Sequence, residues 1–172
     1  MKNITLILIF AFINLAQCQT ANIITETEFN AIEINGIDLT SIKNTLGNQN
    51  AIEALFGLAV EKIIDPDGEF THFEYDGFSI GFSAIISGGT IEQPILGGFK
   101  IKNNNYNITI QGVTFTIGDN ISLLGDVVFN IPPNNINRNI VYQYCDGCNN
   151  FILIKFYQSR NIITEIIYIE QT

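Results

Sequence analysis

Cys145-Asp-Gly-Cys148 is the most specific chemical signal in the sequence. Two thiols three residues apart can close a turn as a disulfide, share a metal ion or act as a redox pair. Zinc would need a second such pair or two nearby histidines, and His72 is the only histidine. Redox pairs usually open a helix, whose dipole lowers the thiol pKa, whereas this pair falls between two strand-like runs. A structural disulfide is therefore expected, with no metal and no cofactor. His72 and Glu74 form a second constellation, two residues apart on one strand face, with Ser79 and Ser83 on the strand that follows. Histidine and carboxylate could exchange a proton, but no nucleophile held by a base and an orienting group is legible. A solvated histidine is the default.

Asp65-Pro-Asp-Gly-Glu69 opens like a calcium loop, yet Phe70, Thr71 and His72 stand where alternating oxygen ligands would have to follow. Pro66 and Gly68 suit the second and fourth positions of a tight turn, which is the simpler account. Leu15-Ala16-Gln17-Cys18 has two readings, ordinary signal cleavage and lipidation of Cys18. Gln17 stands where a small residue normally precedes a lipidated cysteine, which favours cleavage.

The elements that must position these residues begin with an expected signal peptide over residues 1–18, where Lys2 is followed by an apolar run from Ile4 to Ala16. That run is shorter than the roughly 20 apolar residues of a membrane span, and no later stretch approaches that length. The expected mature chain is exported, to the periplasm or the exterior, with lipid anchoring at Cys18 as the alternative. Loss of Lys2 would make the formal net charge of −9 more negative still. Such a surface repels phosphate and makes nucleic acid and anionic membrane poor partners, while a basic partner is favoured.

Along the chain, 21–37 mixes threonine and isoleucine and predicts strand. Thr40 is a candidate cap for a short helix ending at Gly47, and Asn50 to Glu53 has capping-box spacing for a second helix ending at Gly57. A meander follows, in which Phe73 and Tyr75 alternate with Phe70, His72 and Glu74. Pro94 and Gly97-Gly98 predict an edge position, a bulge or a bend for the strand that ends at Lys102. Strand-like 108–117 comes next, then a short helix capped by Asp119 or Asn120. Pro132-Pro133 interrupts the chain before three closing strands.

Ile32-Glu-Ile-Asn-Gly, running on to Leu46-Gly47, is matched by Ile108-Thr-Ile-Gln-Gly, running on to Leu124-Gly125. Tyr75-Asp-Gly77 is likewise echoed by Asp146-Gly147, and Gly57 closes the first copy's helical part. With these residues the chain resembles the beta-lactamase-inhibitor-protein-like architecture and the related small outer-membrane lipoprotein repeats; the cysteine pair and Pro132-Pro133 depart from the pattern. The resemblance implies an α+β protein of two tandem helix-turn-helix plus antiparallel-strand repeats. They would share one curved antiparallel sheet, with helices on one face and the other face free to bind a protein. Residues 19–172 would then be one domain, with repeats at about 22–104 and 105–172; roughly 70 residues are too few for each to hold a core alone.

Aligning Phe78, Ile80 and Phe82 with Ile152, Ile154 and Phe156 assigns those six to the core. His72 and Glu74, and in the second repeat Leu153, Lys155 and Tyr157, then face outward, with Tyr157 and Leu153 as anchors and Tyr168 as a weaker candidate. The functional expectation is an exported, non-enzymatic protein-binding module of the inhibitor, immunity or envelope-assembly kind. A structural envelope lipoprotein held through Cys18 is the alternative, and a small hydrolase comes third. The partner's identity and the oligomeric state stay open.

Overall fold

Two Xaa-Gly pairs, Asn35-Gly36 and Gln111-Gly112, turn the chain back on itself with both residues at positive φ (51° and 80°, then 49° and 79°). That conformation matches the twist of a two-residue hairpin. In the computed structural model, which describes residues 21–66, 68–84, 86–87, 90–91, 93–130 and 137–170, each pair therefore joins two strands. β2 (Glu33–Ile34) runs into β3 (Ile37–Asp38), and β10 (Asn107–Ile110) into β11 (Val113–Thr116). The hairpins pair through β2 and β10 into a four-stranded sheet of order β11-β10-β2-β3. The repeat legible in the sequence is thus a pair of hairpins, and the expected single strand over 108–117 is two strands.

The large sheet has the order β1-β13-β14-β15-β9-β6-β5-β4, with β12 (Phe129–Asn130) beside β13. Its strands are β1 (Asn22–Ile23), β4 (Glu61–Ile64), β5 (Phe70–Tyr75), β6 (Phe78–Ser83), β9 (Ile95–Ile101), β13 (Asn137–Gln143), β14 (Phe151–Tyr157) and β15 (Ile162–Ile169). β1 pairs β13 in parallel and the other neighbours are antiparallel, so the sheet is mixed. A separate two-stranded piece joins β7 (Ile86–Ser87) to β8 (Thr90–Ile91).

The α+β expectation of two helix-turn-helix repeats is corrected here: among the described residues strand outweighs helix, 46% against 16%, and the fold is mostly β. The described helices are short: α1 (Glu26–Asn30), α2 (Leu39–Lys43) and α3 (Gln49–Phe56). Among the described residues of the second half the one helical element is a 3-10 turn, Ile121–Leu124. Gly125, at φ 72°, stops that turn after four residues, and Val127, Val128 and Phe129 favour extended chain over a further helix. Conversely, α1 falls inside the segment expected to be strand. Thr25 caps it, accepting from the Glu28 amide at 3.2 Å, and Glu28 reaches back to the Thr25 amide at 2.8 Å, a reciprocal capping box. The cap of α2 is Asp38, and that of α3 is Asn48.

One face of the large sheet and the inner faces of the helices and small sheet enclose a single core. Phe29, Ile32, Ile34, Leu39, Ile42, Ile52, Ile108 and Phe115 pack from the second layer against Phe73, Phe78, Ile80, Phe99, Ile140, Ile152, Ile154 and Tyr168. Residues before and after position 104 interleave in both sheets, through β2 with β10 and β9 with β15. A fragment ending at Asn104 would expose two strand edges and half a core. Expressed alone, residues 19–104 are expected to show no cooperative thermal melt as a monomer in a calorimetric scan.

The turns also fix local charges. The Glu28 carboxylate accepts from the Gln111 side chain at 3.0 Å, as well as from Thr25, and these bonds hold its pKa at about 2, below the ordinary 4.5. The stabilisation is therefore fully present above pH 4.5 and is lost as pH falls through about 2. Gln111→Gly keeps the positive φ of the turn and removes the donor. The Glu28 midpoint, followed by carboxyl NMR titration, is expected to rise toward the ordinary value.

Candidate functional site: the open face of the large sheet

Strand alternation puts every second residue of the large sheet on the face away from the core. Register then defines rows across the strands. One row runs Glu61, Glu74, Ser79, Lys100, Ile167, Leu153, Val141. The next runs Ile63, His72, Gly81, Gly98, Ile169, Phe151, Gln143. This face divides into two sectors.

The first sector, over β5, β6, β9 and β15, is a trough of about 470 Å³. Its floor is made by Gly81, Gly97 and Gly98, and its sides by Phe70, His72, Glu74, Ser79, Ser83, Lys100, Lys102 and Ile167. Gly81 and Gly98 are directly paired, and Gly97 is the extra residue of a bulge between β6 and β9. β9 is therefore a central, bulged strand. The bulge lets Leu96 and Phe99 both point into the core although they are three residues apart.

The three glycines differ. At Gly98 a Cβ would lie 2.4 Å from the backbone oxygen of Tyr168, because β15 approaches there more closely than any side chain allows. At Gly81 it would meet the His72 imidazole at 2.7 Å from both Cε1 and Nδ1, so that edge of the ring stands against the glycine. At Gly97 the nearest atom is Ser83 Oγ at 3.5 Å, an ordinary contact.

The second sector, over β13, β14 and β15, carries Val141, Leu153, Ile167, Phe151 and Ile169, all half-buried and outside the core cluster. Tyr157, at the end of β14, is 47% exposed. Lys155 pairs with Glu165 at 2.6 Å, and the same carboxylate lies 3.9 Å from Lys100, so one acidic group links the two sectors.

Of the residues singled out from sequence, His72, Glu74, Leu153, Lys155 and Tyr157 all lie on this face. Tyr168 does not: it is 1% exposed and stacks on Phe99 at 5.2 Å on the core side. Its hydroxyl donates to Glu170, whose carboxylate also binds Lys43 of α2 at 3.1 Å. Burial first, and the Glu170 carboxylate second, push its pKa far above the ordinary tyrosine value. Tyr168 is thus a pin between layers, and its candidacy for the surface is withdrawn. Cys145 and Cys148 form a disulfide at the turn from β13 to β14, with Cα atoms 5.4 Å apart. Asp65 closes its turn by accepting from the Phe70 amide at 2.8 Å. Among the described residues no group of three His, Cys, Asp or Glu could hold a metal, and no helix is long and apolar enough to cross a membrane. Cys18 lies outside the described residues.

Sequence alternation placed Phe70 on the face of His72 and Glu74 and marked Gly97-Gly98 for an edge, a bulge or a bend, but it did not reveal the glycine floor or the place of Lys100 beside it. The alternation Ser79, Gly81, Ser83 beside Gly97-Gly98 was the available signal, but it becomes a trough only once the register places those glycines side by side.

Fold and site together define a two-layer, mostly β protein with an uncovered sheet face among its described residues. No known protein family, curated protein or solved structure matches the chain.

Glycine replacement separates the three floor positions. Gly98→Ala must move backbone and is expected to cost about 2 kcal/mol or more. Gly97→Ala should change stability by less than about 0.5 kcal/mol. Urea midpoints of the two variants decide this, and equal midpoints would contradict the close approach at Tyr168.

Proposed function

We propose that this chain is an exported, non-enzymatic protein-binding module that presents the second sector of its open sheet face to a partner. The observation that carries the reading is the row Val141, Leu153, Ile167, with Phe151 and Ile169 beside it. Apolar side chains on a face turned away from the core are what an interface centre needs, and a merely solvated face would be polar there. Tyr157 stands at its rim as a large, amphipathic anchor, and Lys155 with Glu165 supplies a polar border. The leader-like first 18 residues support export as part of this reading, and the acidic composition favours a partner with basic character.

The test is affinity capture from the source cells with paired variants, followed by titration of whatever single protein is retained. Tyr157→Ala is expected to weaken binding by about 2 kcal/mol, roughly 30-fold, with its thermal midpoint nearly unchanged. A destabilisation of about 3 kcal/mol with no loss of partner would mean that Tyr157 is covered, and would overturn the assignment.

A further inference from the structure

The trough of the first sector has a chemistry of its own, unlike the apolar sector beside it. Its floor is backbone: Gly81 and Gly98 are paired, and Gly97 bulges between them. Every strand beneath it is flanked by neighbours on both sides, β5 by β4 and β6, β6 by β5 and β9, β9 by β6 and β15. The ladder is closed there, so no extended peptide can add as a strand, and a ligand must be read by side chains alone. Phe70 (47% exposed) offers a flat, apolar ring face, and the exposed His72 imidazole stands beside it against Gly81. Ser79 and Ser83 offer hydroxyls that both donate and accept, Glu74 accepts, and Lys100 donates.

Charge narrows the class. The chain as a whole is strongly acidic, at −9, yet this face sets Lys100, Lys102 and Lys155 against Glu61, Glu74 and Glu165. Such balance favours neither an anion nor a cation. A phosphate would meet Glu74, and an amine would meet Lys100 and Lys102. What remains complementary is a neutral ligand with an apolar face and a rim of groups that donate and accept together. A volume of about 470 Å³ is in the range of small-molecule pockets.

We infer that the trough binds a neutral sugar ring, its C–H face laid on Phe70, His72 and the glycine floor, and its hydroxyls held by Ser79, Ser83, Glu74 and Lys100. Lys100 can turn to a ligand because Glu165 is 2.6 Å from Lys155 and only 3.9 Å from Lys100. His72 is exposed and can follow the ring edge. The trough shares Ile167 with the apolar sector proposed above as a protein interface, but its polar contacts come from β5, β6 and β9.

Backbone amide NMR of the intact mature chain tests it, with cellotriose, maltotriose, mannotriose and chitotriose as separate probes and inorganic phosphate and free lysine as controls. At least one sugar is expected to give saturable shifts at Phe70, His72, Ser79, Gly81 and Gly97, with a Kd on the order of 1 mM or tighter. Gly97→Leu has room for its Cβ and projects into the trough, so it should abolish those shifts while the chain stays folded. Glu74→Gln and Ser79→Ala, which leave the floor intact, should each weaken binding about tenfold and cover the case in which the leucine variant fails to fold. Tyr157→Ala should leave the sugar response unchanged, which keeps this result separate from the fate of the protein-binding proposal. Shifts with phosphate or lysine in place of the sugars, shifts that survive Gly97→Leu, or no response to any of the four sugars would overturn the inference.

Discussion

Everything on either side of the large sheet hangs on the seam where β9 meets β15. Four residue pairs make it: Ile101 with Ile166, Lys100 with Ile167, Phe99 with Tyr168, and Gly98 with Ile169. On the core side, the Phe99 and Tyr168 rings stack at 5.2 Å, and Phe29 of α1 lies 6.0 Å from Tyr168. On the outer side, the closeness of Gly98 to the Tyr168 backbone oxygen leaves no space for a side chain. The same backbone approach therefore draws the aromatic pair together within and strips the surface bare without. Stacked aromatic pairs add about 0.5–1.5 kcal/mol beyond area burial, and here the seam also joins strands from the two halves of the chain. A trough at this point is a consequence of how the halves are joined.

What could be read from the sequence follows the same physics. Period-two alternation in Phe78 to Phe82 and in Phe151 to Phe156 is strong because one face is buried and the other is not, and those six core assignments match the burial observed. The Asn35-Gly36 and Gln111-Gly112 turns were visible as glycines in a repeat, but their positive-φ pairs make hairpins and not strand-to-helix junctions. Thr25 and Glu28 carried a capping box that the surrounding isoleucines and threonines obscured. Tyr168 had no assignable side because β15 is almost continuously apolar. In addition, an irregularity near Lys155 and Phe156 leaves Thr164 outside the pairing and reverses the parity between the two ends of the strand. The mostly β character was masked for a related reason: short caps and glycine stops announce helix starts, but only length and a long apolar stripe make helices dominate a layer. None of α1, α2 and the 3-10 turn exceeds five residues.

The trough was beyond sequence reasoning because its members come from separate strands. Gly81 and Gly98 are seventeen positions apart and are set side by side by the register of β6 on β9, with the bulge at Gly97, a one-residue slip with no signature beyond a doubled glycine, directly beside them. Register, and not composition, makes the site.

The two sectors of the open face are chemically distinct but share one ionic link. Glu165 pairs closely with Lys155, at the border of the apolar sector, and loosely with Lys100, at the border of the trough. All three side chains are partly exposed, so each pairing is worth little, on the order of 1 kcal/mol or below. An arrangement of that strength does not lock either lysine. A partner engaging Lys155 would release Glu165 toward Lys100, and a ligand engaging Lys100 would leave Glu165 wholly with Lys155. Occupancy of one sector can thus bias the charge presented by the other only by roughly that small energy. By the reciprocity of linked binding, the coupling would be of the same size in both directions, about fivefold at most.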